Sequence, residues 1–102
     1  MDLSLNLLMV ENRKVCQIKK WNNHNIGSLW MCLIEEVGEL AASVRRHTRK
    51  YADRKKMSIE NEIMDVLSYI FQIADFYDID LNKAWNKYIN CNYPSMTHCV
   101  PL

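Results

Sequence analysis

From Trp30 to Val44, apolar side chains recur at three- and four-residue steps (Trp30, Leu33, Val37, Leu40, Ala41 and Val44), with no proline among them. That period belongs to a helix with a single apolar stripe, since a half-buried strand alternates every second residue. Two glycines and two prolines in 102 residues leave little material for linkers or turn-rich β structure. A chain of this length supports one hydrophobic core, so an all-α single domain is expected.

Three further segments carry the same period. The first runs from about Leu3 to Trp21, with Leu7, Leu8, Val15 and Ile18 as core candidates, and Asn22, Asn23, Asn25 and Gly27 end it. The Trp30 helix then starts with Ser28 as N-cap and continues to about Thr48, where basic residues suit the helix dipole. A third helix, capped by Ser58, extends to about Tyr77 with Ile59, Ile63, Val66, Leu67, Ile70, Ile73 and Ala74 on one side. Asp80 caps a shorter fourth helix from Leu81 to about Cys91. Short connections between such helices predict an antiparallel four-helix bundle over residues 1–94, and Pro94 and Pro101 bound a tail over 95–102.

Composition narrows the function classes. A formal charge of +1 gives no global basic field for nucleic acid. The apolar start MDLSLNLLMV lacks a basic leader and a small-residue cleavage site, and no run reaches membrane-spanning length, so a cytoplasmic protein without nucleic-acid or membrane partners is expected. Cys16, Cys32, Cys91 and Cys99 match no zinc or redox spacing and are expected as buried thiols.

The acidic residues hold the chemistry. Glu35, Glu36 and Glu39 stand within LIEEVGELAA, and Glu62 and Asp65 within ENEIMDVL, each set at steps that share a helix face. Magnesium takes oxygen ligands from carboxylates while leaving positions for water and phosphate, and two facing helices can supply them. The other reading is a solvated helix face. On the second helix, at about 100° per residue, Glu35 and Glu39 lie nearly opposite the apolar stripe and Glu36 between the faces. Glu62, by contrast, lies roughly 70° from the centre of its stripe, where a carboxylate needs a partner. Gly38, between Glu36 and Glu39, fits either a tight helix crossing or a ligand approach.

E-E-V-G-E-L, followed by E-x-x-D on the next helix, resembles the signature of the MazG-like nucleotide pyrophosphohydrolases. The resemblance extends over roughly residues 15–94, through Trp21 to Asn25, the run DVLSYIFQIADFYDIDL, and Tyr93-Pro94. It implies an all-α, oligomeric fold and magnesium-dependent cleavage of a nucleoside triphosphate between its α and β phosphates, giving the monophosphate and pyrophosphate. By similarity, Glu36, Glu39, Glu62 and Asp65 would be the metal ligands, with manganese able to substitute. Glu35 and Glu36 would be catalytic. Glu35 would ligate a second metal, act as general base toward the attacking water, or sit behind the ligands.

For the phosphates, the cluster Arg45, Arg46, Arg49, Lys50, Lys55 and Lys56 offers cations, of which Arg46 and Lys50 are the candidates, and the family position suggests Lys87 and Asn90. For the base and sugar, Trp21, His24 and Asn25 can stack on a ring or read its edge, while Trp30 belongs to the apolar stripe. Relatives commonly carry basic residues before Tyr-Pro, whereas Asn90, Cys91 and Asn92 stand here. Exposed aromatic area from Phe71, Phe76, Trp85 and Tyr88, together with the resemblance, points to a homotetramer or a homodimer with sites completed by a neighbouring chain. Two further readings stand beside a house-cleaning deoxynucleotide hydrolase: a non-catalytic nucleotide-binding or interaction module, and a narrower enzyme acting on dUTP or phosphoribosyl-ATP.

Overall fold

A computed structural model describes residues 4–21, 25–48 and 56–95, with side chains of the last segment from Ile59 onward. Four helices follow in order: α1 (Leu5–Ile18), α2 (Ile26–Thr48), α3 (Lys56–Phe76) and α4 (Leu81–Asn92), with no strand among the described residues. None is long and apolar enough to cross a membrane.

The helix ends have local causes. Ser4 caps α1 by accepting from the Leu7 amide at 3.0 Å. Asn25, not Ser28, caps α2, its side-chain oxygen accepting from the Ser28 amide at 2.8 Å. A side-chain acceptor belongs three residues before the amide it satisfies, and Ser28 therefore falls inside the first turn. Helix α3 begins at Lys56, ahead of the expected Ser58. Asp80 caps α4 as expected, accepting from the Lys83 amide at 3.0 Å.

Helices α2 and α3 form the principal pair, α1 lies against α3, and α4 packs chiefly on α1. The arrangement is a hairpin with two additions, more open than a closed four-helix bundle. Met9, Phe71 and Ala74 form the buried core of the α1–α3 contact, with Leu8, Leu67 and Leu81 packed against it. Phe71 is thus interior, where an outward position was expected, whereas Phe76, Trp85 and Tyr88 are exposed. Asn6 ties α1 to the start of α4: its amide donates to Asp80 Oδ1 at 2.8 Å and its oxygen accepts from the Leu81 amide at 2.8 Å.

The apolar stripe of α2 divides on folding. Leu29, Leu33, Leu40 and Ser43 are buried or half-buried, whereas Val37, Val44 and Trp30, at 54% exposure, are open. At about 100° per residue, Trp30 and Val37 point roughly 100° away from the Leu29–Ser43 line, so α3 covers only one flank of the expected stripe. Leu7, Val15 and Ile18 on α1 and Ile63 and Ile70 on α3 are likewise exposed rather than core. A Cβ built on Gly38 meets nothing within 4 Å, so no crossing among the described helices requires glycine there. Cys16 is buried and Cys32 half-buried, but Cys91 is exposed on the lightly packed α4. Cys99 and the 96–102 tail lie outside the described residues.

Because Asn6 makes two side-chain bonds across the α1–α4 junction, Asn6→Ala should lower stability by about 1–2 kcal/mol. Urea unfolding followed by circular dichroism checks this.

Candidate metal and nucleotide site

The line of α2 that meets α3 reads Leu29, Leu33, Glu36, Leu40 and Ser43, so one carboxylate is built into an otherwise apolar or neutral seam. Its place there follows from spacing alone: Glu36 stands seven residues after Leu29 and seven before Ser43, two turns in each direction. On α3, Glu62 and Asp65 are three residues apart and face the same way. The hairpin brings one oxygen each of Glu36, Glu62 and Asp65 within 4.8 Å of one another. Glu36 and Glu62 are half-buried and Asp65 is exposed.

The electrostatics of this cluster are unfavourable on their own. Burial, and then the neighbouring charges of Glu39 and Asp65, push the Glu36 carboxyl up to about 7. Burial, followed by Glu39 and Asp65, also raises Glu62, and Arg46 partly opposes that rise. Glu39 therefore stands close enough to act on both, although its own side chain is exposed. Among the described residues, Glu36 Oε2 and Glu62 Oε2 are buried and accept no hydrogen bond. Two carboxylates with buried, unpartnered oxygens, joined by Asp65, fit a hard divalent cation, which prefers such ligands and removes their repulsion.

A cavity of about 350 Å3 opens beside the cluster, lined by Trp21, Glu36, Asp65, Ser68, Tyr69 and Gln72. Trp21, which follows α1, is thus brought to the acids. Ser68, Tyr69 and Gln72 were not singled out as ligands from the sequence, yet they stand three, four and seven residues after Asp65 and so share its side of α3. Gln72 donates to Ser68 Oγ at 3.3 Å. The Tyr69 hydroxyl is pushed up to about 12, first by burial and then by Cys32. A second, smaller cavity of about 130 Å3 adjoins along the α1–α3 seam and shares Trp21 and Gln72.

The remaining candidates are less concentrated. Arg46 donates to Ser43 Oγ at 3.0 Å and reaches the field of Glu62. Glu35 is exposed on α2. Asn25 commits its side-chain oxygen to capping α2, which leaves its amide hydrogens for other partners. Lys87 and Asn90 are exposed on α4, which packs on α1 more than on either acid-bearing helix. His24, Arg49, Lys50 and Lys55, and the side chain of Lys56, lie outside the described residues.

The raised carboxyls set a sign for pH dependence. The folded, metal-free chain holds the Glu36 proton more tightly than the unfolded chain, so stability is greatest at low pH and declines as pH rises from 4.5 through about 7. A shift of this size is worth on the order of 3 kcal/mol. Thermal melts in chelator should therefore give a higher Tm at pH 5.5 than at pH 8, and saturating magnesium should remove most of that difference.

A search of curated proteins and of solved structures finds no match to this chain. The MazG nucleotide pyrophosphohydrolase domain matches residues 24–91, a span that includes α2, α3, all five acids and nearly all of α4. With Glu36 of α2 and Asp65 of α3 lining one cavity within that span, the chain belongs to the MazG nucleotide pyrophosphohydrolase domain family.

Proposed function

We propose that the chain, through a domain spanning residues 1–94, hydrolyses nucleoside triphosphates between the α and β phosphates with magnesium as cofactor. The observation that carries this reading is the convergence of Glu36, Glu62 and Asp65, with two buried and unpartnered oxygens, beside a cavity walled by Trp21. Glu36, Glu39, Glu62 and Asp65 would hold the ion. Magnesium bound there would offset the triphosphate charge, polarise the α-phosphorus and make bound water a better nucleophile.

The residues of the chain divide the remaining work. Glu35, exposed one residue before Glu36, is the candidate to accept a proton from the attacking water, with Glu36 assisting from the ligand set. Trp21 offers a flat apolar surface for a base to stack upon, and the Asn25 amide, with His24, would read the base or sugar. Arg46, whose charge acts on Glu62, would meet phosphate oxygens at the edge of the acids, with Lys50 as its companion. Lys87 and Asn90, exposed on α4, would suit a site completed by a neighbouring subunit. A homotetramer built as a dimer of dimers, or a homodimer, supplies that arrangement. A preference for deoxynucleotides and a role in cleaning the cytoplasmic nucleotide pool complete the proposal.

Pyrophosphate release from each common dNTP and NTP, with and without magnesium, tests the reading. Turnover should require magnesium, yield monophosphate and pyrophosphate, and fall by about 100-fold or more in Glu39→Gln. Nucleotide binding without product from the wild type would replace the hydrolase with a sensing module. Trp21→Ala should raise KM by roughly tenfold with a smaller effect on kcat, as expected for a lost stacking contact.

A further inference from the structure

Trp21 and Gln72 line both cavities, so the space beside the acids continues into the seam between α1 and α3. The continuation has a different character. Its apolar surface comes from the buried Met9, Leu29 and Phe71 and from the exposed rings of Trp21 and Phe76. Arg13 and Asp75 also line it, but a two-point ion pair joins them and their charges cancel. A concave, mainly apolar space with a few polar groups is the form of a small-molecule site.

Two amides supply the remaining polarity, and both lean on Ser68. Asn12 Nδ2 donates to the Ser68 carbonyl at 3.1 Å and to Cys16 Sγ at 3.9 Å, which uses both of its hydrogens. A backbone carbonyl only accepts, so this contact fixes which end of the Asn12 amide faces Ser68. Gln72 Nε2 donates to Ser68 Oγ at 3.3 Å. Among the described residues, neither Asn12 Oδ1 nor Gln72 Oε1 accepts a hydrogen bond. Ser68 thus holds one amide of α1 and one of α3 by their nitrogens, and leaves two acceptors at one cavity.

We infer that this cavity takes the base of the nucleotide, and that Asn12 and Gln72 select bases with an exocyclic amine, cytosine and adenine, over their oxo counterparts. The inference rests on the triphosphate reading for the position of the phosphates.

Asp65 and Gln72 are seven residues apart, about 10 Å along α3, a span that a sugar bridges between a phosphate at the acids and its base. With the sugar toward the acids, the edge of the base opposite the glycosidic bond leads into the seam. That edge bears an amine in cytosine and adenine and a carbonyl in uracil, thymine and guanine. An amine brings two hydrogens to two acceptors. A carbonyl would set a third acceptor against them and leave all three unpaired, and a site built to pair with a donor rejects the analogue that lacks it.

Calorimetric titration of the full chain in magnesium, with non-hydrolysable α,β-imido analogues of dCTP, dUTP, dATP and dITP, tests the inference without turnover. Within each pair the bases differ in that one substituent and the ring proton beside it. The dCTP and dATP analogues should bind about tenfold or more tightly than those of dUTP and dITP. Asn12→Leu and Gln72→Leu, with far-UV circular dichroism as a folding control, should each narrow the gap to about threefold or less. Gln72→Glu keeps the acceptor and should retain the gap even where overall affinity falls. Should Asn12→Leu not fold, the two Gln72 variants decide. Equal binding within the pairs, tighter binding of the oxo members, a gap that survives in the folded leucine variants, or a gap lost in Gln72→Glu overturns the inference and leaves the hydrolase reading standing. The expected gap without pyrophosphate release from dCTP or dATP upholds the base site and removes only the hydrolase reading. No binding of any analogue overturns both.

Discussion

The repulsion between carboxylates at the α2–α3 seam is the constraint around which the molecule is arranged. Leucine at position 36 would continue the seam formed by Leu29, Leu33 and Leu40 and pack against α3. Glutamate there places a charge among apolar neighbours and beside Glu62 and Asp65. Replacing a buried charge by a well-packed apolar side chain is commonly neutral or stabilising, so an acid retained here is costly to the apo fold and needs a compensating partner. Arg46 supplies part of that compensation at one edge. The buried, unpartnered oxygens of Glu36 and Glu62 leave the rest to a cation.

Other features of the fold serve the same side of the hairpin. The segment after α1 brings Trp21 beside Glu36 and Asp65, and Asn25 caps α2, the helix that carries Glu36. Ser68, Tyr69 and Gln72 continue the wall from Asp65 along α3. Charge and polarity thus gather on one side of two helices, and the heptad-spaced rows of Trp30, Val37, Val44, Ile63 and Ile70 are left on the other.

Much of this was legible in the sequence because helical period and capping chemistry are local. The four helices, the Asp80 cap and the unsolvated position of Glu62 follow from residue spacing. The phase of α2 did not, because its apolar residues span two adjoining faces whose average direction is neither of them. Trp30 was accordingly expected in the core, and Glu36 between the faces, when the true contact line runs through Glu36 itself. Leu29, buried at the start of that line, was the residue that could have corrected the phase. The exposure of Val15, Ile18, Ile63 and Ile70 has a related cause: amphipathic spacing marks an apolar face without specifying what packs against it. The part of the cavity wall that Ser68 and Gln72 form was missed because they are ordinary helix residues until Asp65 defines their side.

The central claim is that the seam carboxylates bind a divalent cation, and manganese reports on this directly by electron paramagnetic resonance, without requiring turnover. Titrating Mn2+ into the wild type and into Glu62→Gln, with magnesium as competitor, measures the free-ion signal in each. Loss of the free signal at stoichiometric protein, reversed by magnesium and weakened by about tenfold or more in Glu62→Gln, is the predicted result. A free Mn2+ signal unaffected by the folded wild-type protein would contradict the claim.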